Sequence, residues 1–173
     1  PVYTDDMAPE DALIIKILRS PHAHAIIEDI DVSRAENVEG IACVLTWKDV
    51  PSSRFTIACQ AYPEPSNYDR LILERRLRYV GDAVAIVAGE DEKAVDKALK
   101  LIKVKYDVLE PVLDFRKSKD NPVLVHPEDD IKTNPFFPEQ IKRNIVYYGE
   151  TQYGNVNEEF EKCDVVIERS YHT

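Results

Sequence analysis

Residues 78–109 constrain the fold of this 173-residue chain more than any other stretch. The run 78–88 is aliphatic and ends at Gly89, as a buried strand would. Glu90, Asp91 and Glu92 come next and suit a helix N-terminus, where acidic side chains accept from free amides and face the positive end of the helix dipole. From Asp91 to Ile102, the residues Ala94, Val95, Ala98, Leu99 and Ile102 fall on one helical stripe, with Glu92, Lys93, Asp96, Lys97 and Lys100 elsewhere. A helix with a single apolar stripe has to cover a sheet. Residues 103–109 return as a strand with Val104, Tyr106 and Val108 on one face, closed by Glu110-Pro111. Such a unit either pairs its strands in parallel through a right-handed crossover or skips a strand, and periodicity leaves both open.

Upstream, residues 12–18 predict a largely buried strand stopped by Pro21, and residues 25–32 a second whose faces are both mixed. A helical turn over 33–37, capped by Asp31 or Ser33 and followed by Gly40, leads into a third strand over 41–45, and Thr46 caps one more turn before Pro51. Residues 51–71 carry three prolines and little periodicity, which predicts a long irregular excursion with one short strand near 56–58. Residues 115–140 predict an irregular wrap with an edge strand at 123–125. Beyond it the sequence predicts strands over 144–150 and 164–171, a turn at Gly154-Asn155, and a helix over 156–162. The class is α+β, a mixed and mostly antiparallel sheet with two or three short helices, in one domain over 1–173.

Charge and cysteine content narrow the function. With 22 basic against 32 acidic residues the formal charge is −10, which argues against nucleic acid or anionic lipid and for neutral or basic partners. No apolar run approaches the roughly 20 residues that span a bilayer, and residues 1–11 carry acids where a leader would carry bases, so the chain reads as cytoplasmic. Cys43, Cys59 and Cys163 have no close spacing and read as reduced, mostly buried thiols. The start at Pro1 and the stop in mid-pattern at Thr173 read as a piece of something longer.

Several motifs together carry a resemblance. They are Ser20-Pro21-His22-Ala23, then Ile30-Asp31-Val32-Ser33-Arg34-Ala35, then Gly40-Ile41-Ala42-Cys43-Val44-Leu45-Thr46 with Asp49, then Val80-Gly81-Asp82-Ala83-Val84-Ala85, and then Val104-Lys105-Tyr106 through Pro111-Val112. In this order they resemble the N-terminal α/β-hammerhead portion of the molybdenum-binding subunit of the xanthine dehydrogenase, aldehyde oxidase and carbon monoxide dehydrogenase family. The closing pattern is matched loosely by Gly149-Glu150, Glu159-Phe160 and Cys163-Asp164. Ile26 stands where arginine is common, Ala83 where proline is usual, and Glu110 is inserted before Pro111; these departures bear on substrate subgroup and not on family.

The resemblance implies an oxidoreductase whose molybdopterin-binding and catalytic residues lie downstream of this segment, with iron–sulfur and FAD modules as partners. It assigns this segment no catalytic, cofactor-binding or metal residue. A second reading is an independent interaction or carrier-like module with a hammerhead or barrel-sandwich fold, although no lysine sits in a tight hairpin flanked by methionines as a carrier would need.

The residues themselves agree with a scaffold. His22 and His24 would share a strand face as metal ligands do, but no further ligand flanks them and Pro21 makes the segment a corner. His126 and His172 are isolated in the sequence. Glu128, Asp129 and Asp130 lack the spacing and glycine of a calcium loop and read as solvated loop charges. Gly81-Asp82 and Gly149-Glu150 are single glycines and not a phosphate cradle. Tyr147, Tyr148 and Tyr153 could stack on a ligand, and packing across a sheet is the commoner use of such residues.

Overall fold

The computed structural model describes residues 1–56, 67–132, 140–146 and 148–171. The strands are β1 (Ile14–Arg19), β2 (Ala25–Asp31), β3 (Ile41–Leu45), β4 (Arg76–Leu77), β5 (Ala83–Gly89) and β6 (Lys103–Val108). The helices are α1 (Ser33–Glu36), α2 (Glu92–Leu101) and α3 (Val156–Glu161), with 3-10 turns at Thr4–Met7, Phe115–Lys117 and Ile141–Arg143. Two three-stranded sheets result, ordered β1-β5-β3 and β4-β2-β6, and every pairing in them is antiparallel. The strands on either side of α2 therefore lie in different sheets, so the helix neither crosses between parallel neighbours nor skips a strand.

Helix α2 begins where its acids predict. The Asp91 side chain accepts from the amides of Lys93 and Ala94, two of the donors that a helix start leaves free. Ala94, Val95 and Ala98 are buried against β1, β3 and β5, and Ile102 enters the same core just past the helix end. Lys16 of β1 reaches across to Asp96 at 2.6 Å and Glu92 at 2.8 Å, so α2 lies on the sheet face that carries Lys16. Gly89 is needed beneath this helix: a Cβ there would meet the Gly40 carbonyl oxygen at 2.7 Å. From the second sheet Ala25, Ile27, Ile30 and Leu77 complete the core, which includes the fully buried Val84, Val87 and Val95.

The predicted strand over 78–88 is divided. Gly81 adopts φ +95°, and the Asp82 carboxylate accepts from the amides of Arg78 at 2.9 Å and Ala83 at 3.0 Å. This turn leaves β4 in one sheet and starts β5 in the other. Residues 123–125 form no strand, because the Asn144 amide group takes the place of a neighbour, donating to the Val123 carbonyl at 2.8 Å and accepting from the Val125 amide at 2.9 Å. Asn144 itself is left-handed at φ 56°, which ends the predicted strand over 144–150 at its first residue, and position 147 lies outside the described residues. Residues 164–171 form no strand among the described residues, and Val165 and Ile167 are each 73% exposed. Helix α3 forms, capped by Asn155, and its Phe160 is exposed. Of the predicted strand over 56–58, positions 57 and 58 lie outside the described residues; Phe55 pairs with Arg70 in an isolated bridge. The cysteine reading is corrected too: Cys43 and Cys163 are exposed, and Cys59 lies outside the described residues.

Candidate functional site

The recognised motifs converge on corners of the fold. The Ser20 hydroxyl accepts from the His22 amide at 3.0 Å, and the Ser20 backbone exchanges bonds with the Gly81-Asp82 turn, accepting from Gly81 and donating to Asp82, each at 2.8 Å. Two motifs sixty residues apart thus build one corner. In the Thr46-Trp47-Lys48-Asp49 motif, the Asp49 carboxylate accepts from the Thr46 hydroxyl at 2.6 Å and the Thr46 amide at 2.8 Å, which hold its pKa below the usual carboxylate range.

His22 and His24 lie in a bend ahead of β2 and not on a strand. His22 packs its ring edge-on to Tyr106 at 4.9 Å. His24 is buried; its Nδ1 lies 2.8 Å from the Glu110 carbonyl, which can only accept, so Nδ1 carries the proton and Nε2 accepts from Arg76 at 3.0 Å. Both ring nitrogens of His24 are engaged, Nδ1 with the chain just past β6 and Nε2 with Arg76 of β4. The Glu110 that departs from the family pattern supplies the first of these two partners.

The structure brings together a charged cluster that reading along the chain did not find. Arg78, with its side chain 9% exposed, donates to both Glu74 oxygens at 2.5 and 3.0 Å, to Glu128 at 2.9 Å and to the Val125 carbonyl at 3.0 Å. Arg76 meets the same Glu128 oxygen at 3.0 Å, and Arg54 joins Glu74 at 3.4 Å to Asp130 at 2.9 Å. Glu128 is thus a half-buried ion-pair partner and not a solvated loop charge. Of its acidic neighbours, Asp129 is almost fully exposed beside Lys142. Burial opposes the charge on Glu128, yet its own amide, Arg78 and Arg76 hold its pKa below the ordinary range.

His126 is not isolated in space. Its Nε2 lies 3.7 Å from Asp69 and its Nδ1 3.9 Å from Glu128, and that Nδ1 and Glu128 Oε2 are both buried without a hydrogen-bond partner. Burial, and then Arg78, push the imidazole pKa below its usual value; Asp69, Glu128 and Glu74 pull the other way and do not win. Among the described residues no group of three or more His, Cys, Asp or Glu side chains is arranged to hold a metal ion. Tyr148 donates to Glu150 at 2.7 Å, and Tyr153 is 94% exposed, in a segment that pairs with no strand among the described residues. Tyr147 and His172 lie outside the described residues.

An apolar cleft of about 280 Å³ beside Arg78 is lined by Tyr79, Val80, Pro111, Leu113, Val123 and Leu124 among others. It offers packing surface but no free charge, since the Arg78 guanidinium is engaged with Glu74, Glu128 and the Val125 carbonyl.

This fold, two antiparallel sheets clasped at motif-built corners, defines the class. The aldehyde oxidase and xanthine dehydrogenase a/b hammerhead domain matches residues 1–110, and the chain belongs to that family. It is 37% identical over its whole length to a probable hypoxanthine oxidase of Escherichia coli O157:H7, of which the match covers 21%. It is 30% identical over 99% of its length to the xanthine dehydrogenase molybdenum-binding subunit of the same organism, covering 22% of that protein. Among solved structures it resembles an aldehyde oxidoreductase from Desulfovibrio gigas, with TM-score 0.60 and 27% identity over 73% of this chain and 15% of that one. The chain therefore spans about a fifth of the length of the relatives it matches.

Proposed function

We propose that this chain serves as the structural hammerhead domain, one unit over residues 1–173, of a larger cytoplasmic molybdenum hydroxylase subunit. In this reading it braces downstream domains that hold molybdopterin and carry the catalysis, with iron–sulfur and FAD modules as electron partners. The molybdopterin itself would supply the redox chemistry. The charged cluster does not fit that group: its arginines, Arg54, Arg76 and Arg78, are each committed to carboxylates within it.

The observation that carries the reading is this internal commitment of charge within a chain whose family is that of aldehyde oxidase and xanthine dehydrogenase. Elemental analysis with a dye-linked dehydrogenase assay tests it. The 173-residue chain is expected to be colourless, without stoichiometric molybdenum and inactive towards purines and aldehydes, whereas the longer polypeptide carries metal and activity. Tightly bound molybdenum with turnover from the 173-residue chain would overturn it.

A further inference from the structure

The sheet β1-β5-β3 has two faces of different fate. Cross-strand partners share a face, so Lys16, Val87 and Val44 form one row on the side that α2 covers. The rows on the other side are Ile15–Ala88–Cys43 and Ile17–Ile86–Leu45. Val84 shares this face and is fully buried, so the face is closed at the start of β5. Further along it opens at the flanking strands: Ile15 is 62% exposed and Cys43 is exposed on either side of the buried Ala88, and Ile17, Ile86 and Leu45 are half-buried without joining the core. An apolar outer face departs from the polar outer face usual in an antiparallel sheet that has one side in water.

We propose that this outer face is the seat of a second domain of the same polypeptide, an apolar surface with a neutral or basic rim. The proposal rests on the functional reading above and adds to it the surface that does the bracing. Two observations select the occupant. The open rows cover only about 200 Å², taking about 4.8 Å per strand and about 3.4 Å per residue, far below the roughly 800 Å² per partner of a stable complex between separate chains. A tethered neighbour needs much less area, because the linkage supplies a high effective concentration. The relatives provide such a neighbour, since the chain spans 21% and 22% of two of them. The rim follows from the formal charge of −10.

Cys43 reports on the face directly. In the longer polypeptide encoded by the parent gene, maleimide labelling located by mass spectrometry should be at least about 100-fold slower at Cys43 in the native protein than in denaturant, because an occluded thiol reacts only through opening. Ile15→Glu should raise the native labelling rate of Cys43 while the protein stays folded by circular dichroism. Native labelling within a few-fold of the denatured rate overturns the proposal. So does protection that vanishes on dilution, which would make the occupant a second copy. Molybdenum content of the same sample separates the two ideas: metal present with Cys43 open sinks the docking surface alone, and metal absent with Cys43 protected sinks the functional reading alone.

Discussion

Gly81 donates its amide to the Ser20 carbonyl at 2.8 Å while holding φ +95°, so the corner joining the two sheets depends on a backbone conformation that other residues rarely adopt. A Cβ at Gly81 would meet nothing within 4 Å, so the cost of a side chain there is purely conformational. Gly81→Ala should lower stability by about 1–2 kcal/mol in denaturant melts. An unchanged midpoint would mean the turn is not held as described.

The helix stripe gives a paired test. Ala98 is fully buried and Lys97 exposed on adjacent positions of α2. Ala98→Asp should lower stability by about 2–4 kcal/mol by burying an unpaired carboxylate, and Lys97→Asp should change it by less than about 0.5 kcal/mol. Similar effects at the two positions would contradict the packing of α2.

Removing the centre of the charged cluster should cost more than any surface ion pair. Arg78→Met leaves Glu74 and Glu128 without their shared cation, and the expected loss is about 3–5 kcal/mol. Glu92→Gln, which removes one exposed partner of Lys16, should cost under about 1 kcal/mol. Chemical denaturation of the two variants side by side decides this.

Acid should weaken the fold in two stages. The folded pKa of His126 lies below the ordinary 6.5, so its contribution is complete above that value. It declines as pH falls below 6.5, because the unfolded chain takes up the proton first. Glu128 is lowered from 4.5, so its contribution is present above that value and lost as pH falls through its folded pKa. His126→Gln should remove the first decline in a melting-temperature profile and leave the second. A variant with the same profile as the parent would show that His126 is not the group concerned.

Local signals carried most of the central fold. The Asp91 cap, the stripe of Ala94, Val95 and Ala98, and the strand 41–45 lie where spacing and capping put them. The errors share a physical origin. The aliphatic run 78–88 hides a turn because Gly81 and the Asp82 carboxylate act on the backbone, and hydrophobicity does not register that. Residues 123–125 and 164–171 have strand-like composition without a paired neighbour, and pairing is a property of distant chain. The cluster was illegible for the same reason: Arg78 and Glu128 are 50 positions apart, and an acidic run beside a proline looks solvated until an arginine is folded onto it. The one usable hint was Glu74-Arg75-Arg76 with Arg78 next to an aliphatic stretch, where three basic groups need nearby acids.

If, as proposed, this domain supports chemistry performed elsewhere and contributes no reacting group, its variants should change stability and leave turnover alone. This is tested most directly by turnover per bound molybdenum in the longer polypeptide carrying Arg78→Met, measured with a panel of purines and aldehydes beside its melting temperature. A clear drop in melting temperature is expected, with turnover per metal within about twofold of the parent, since no transition-state contact is lost. Unchanged melting with turnover per metal reduced by about a hundredfold or more would place Arg78 in the reaction itself and contradict the proposed role.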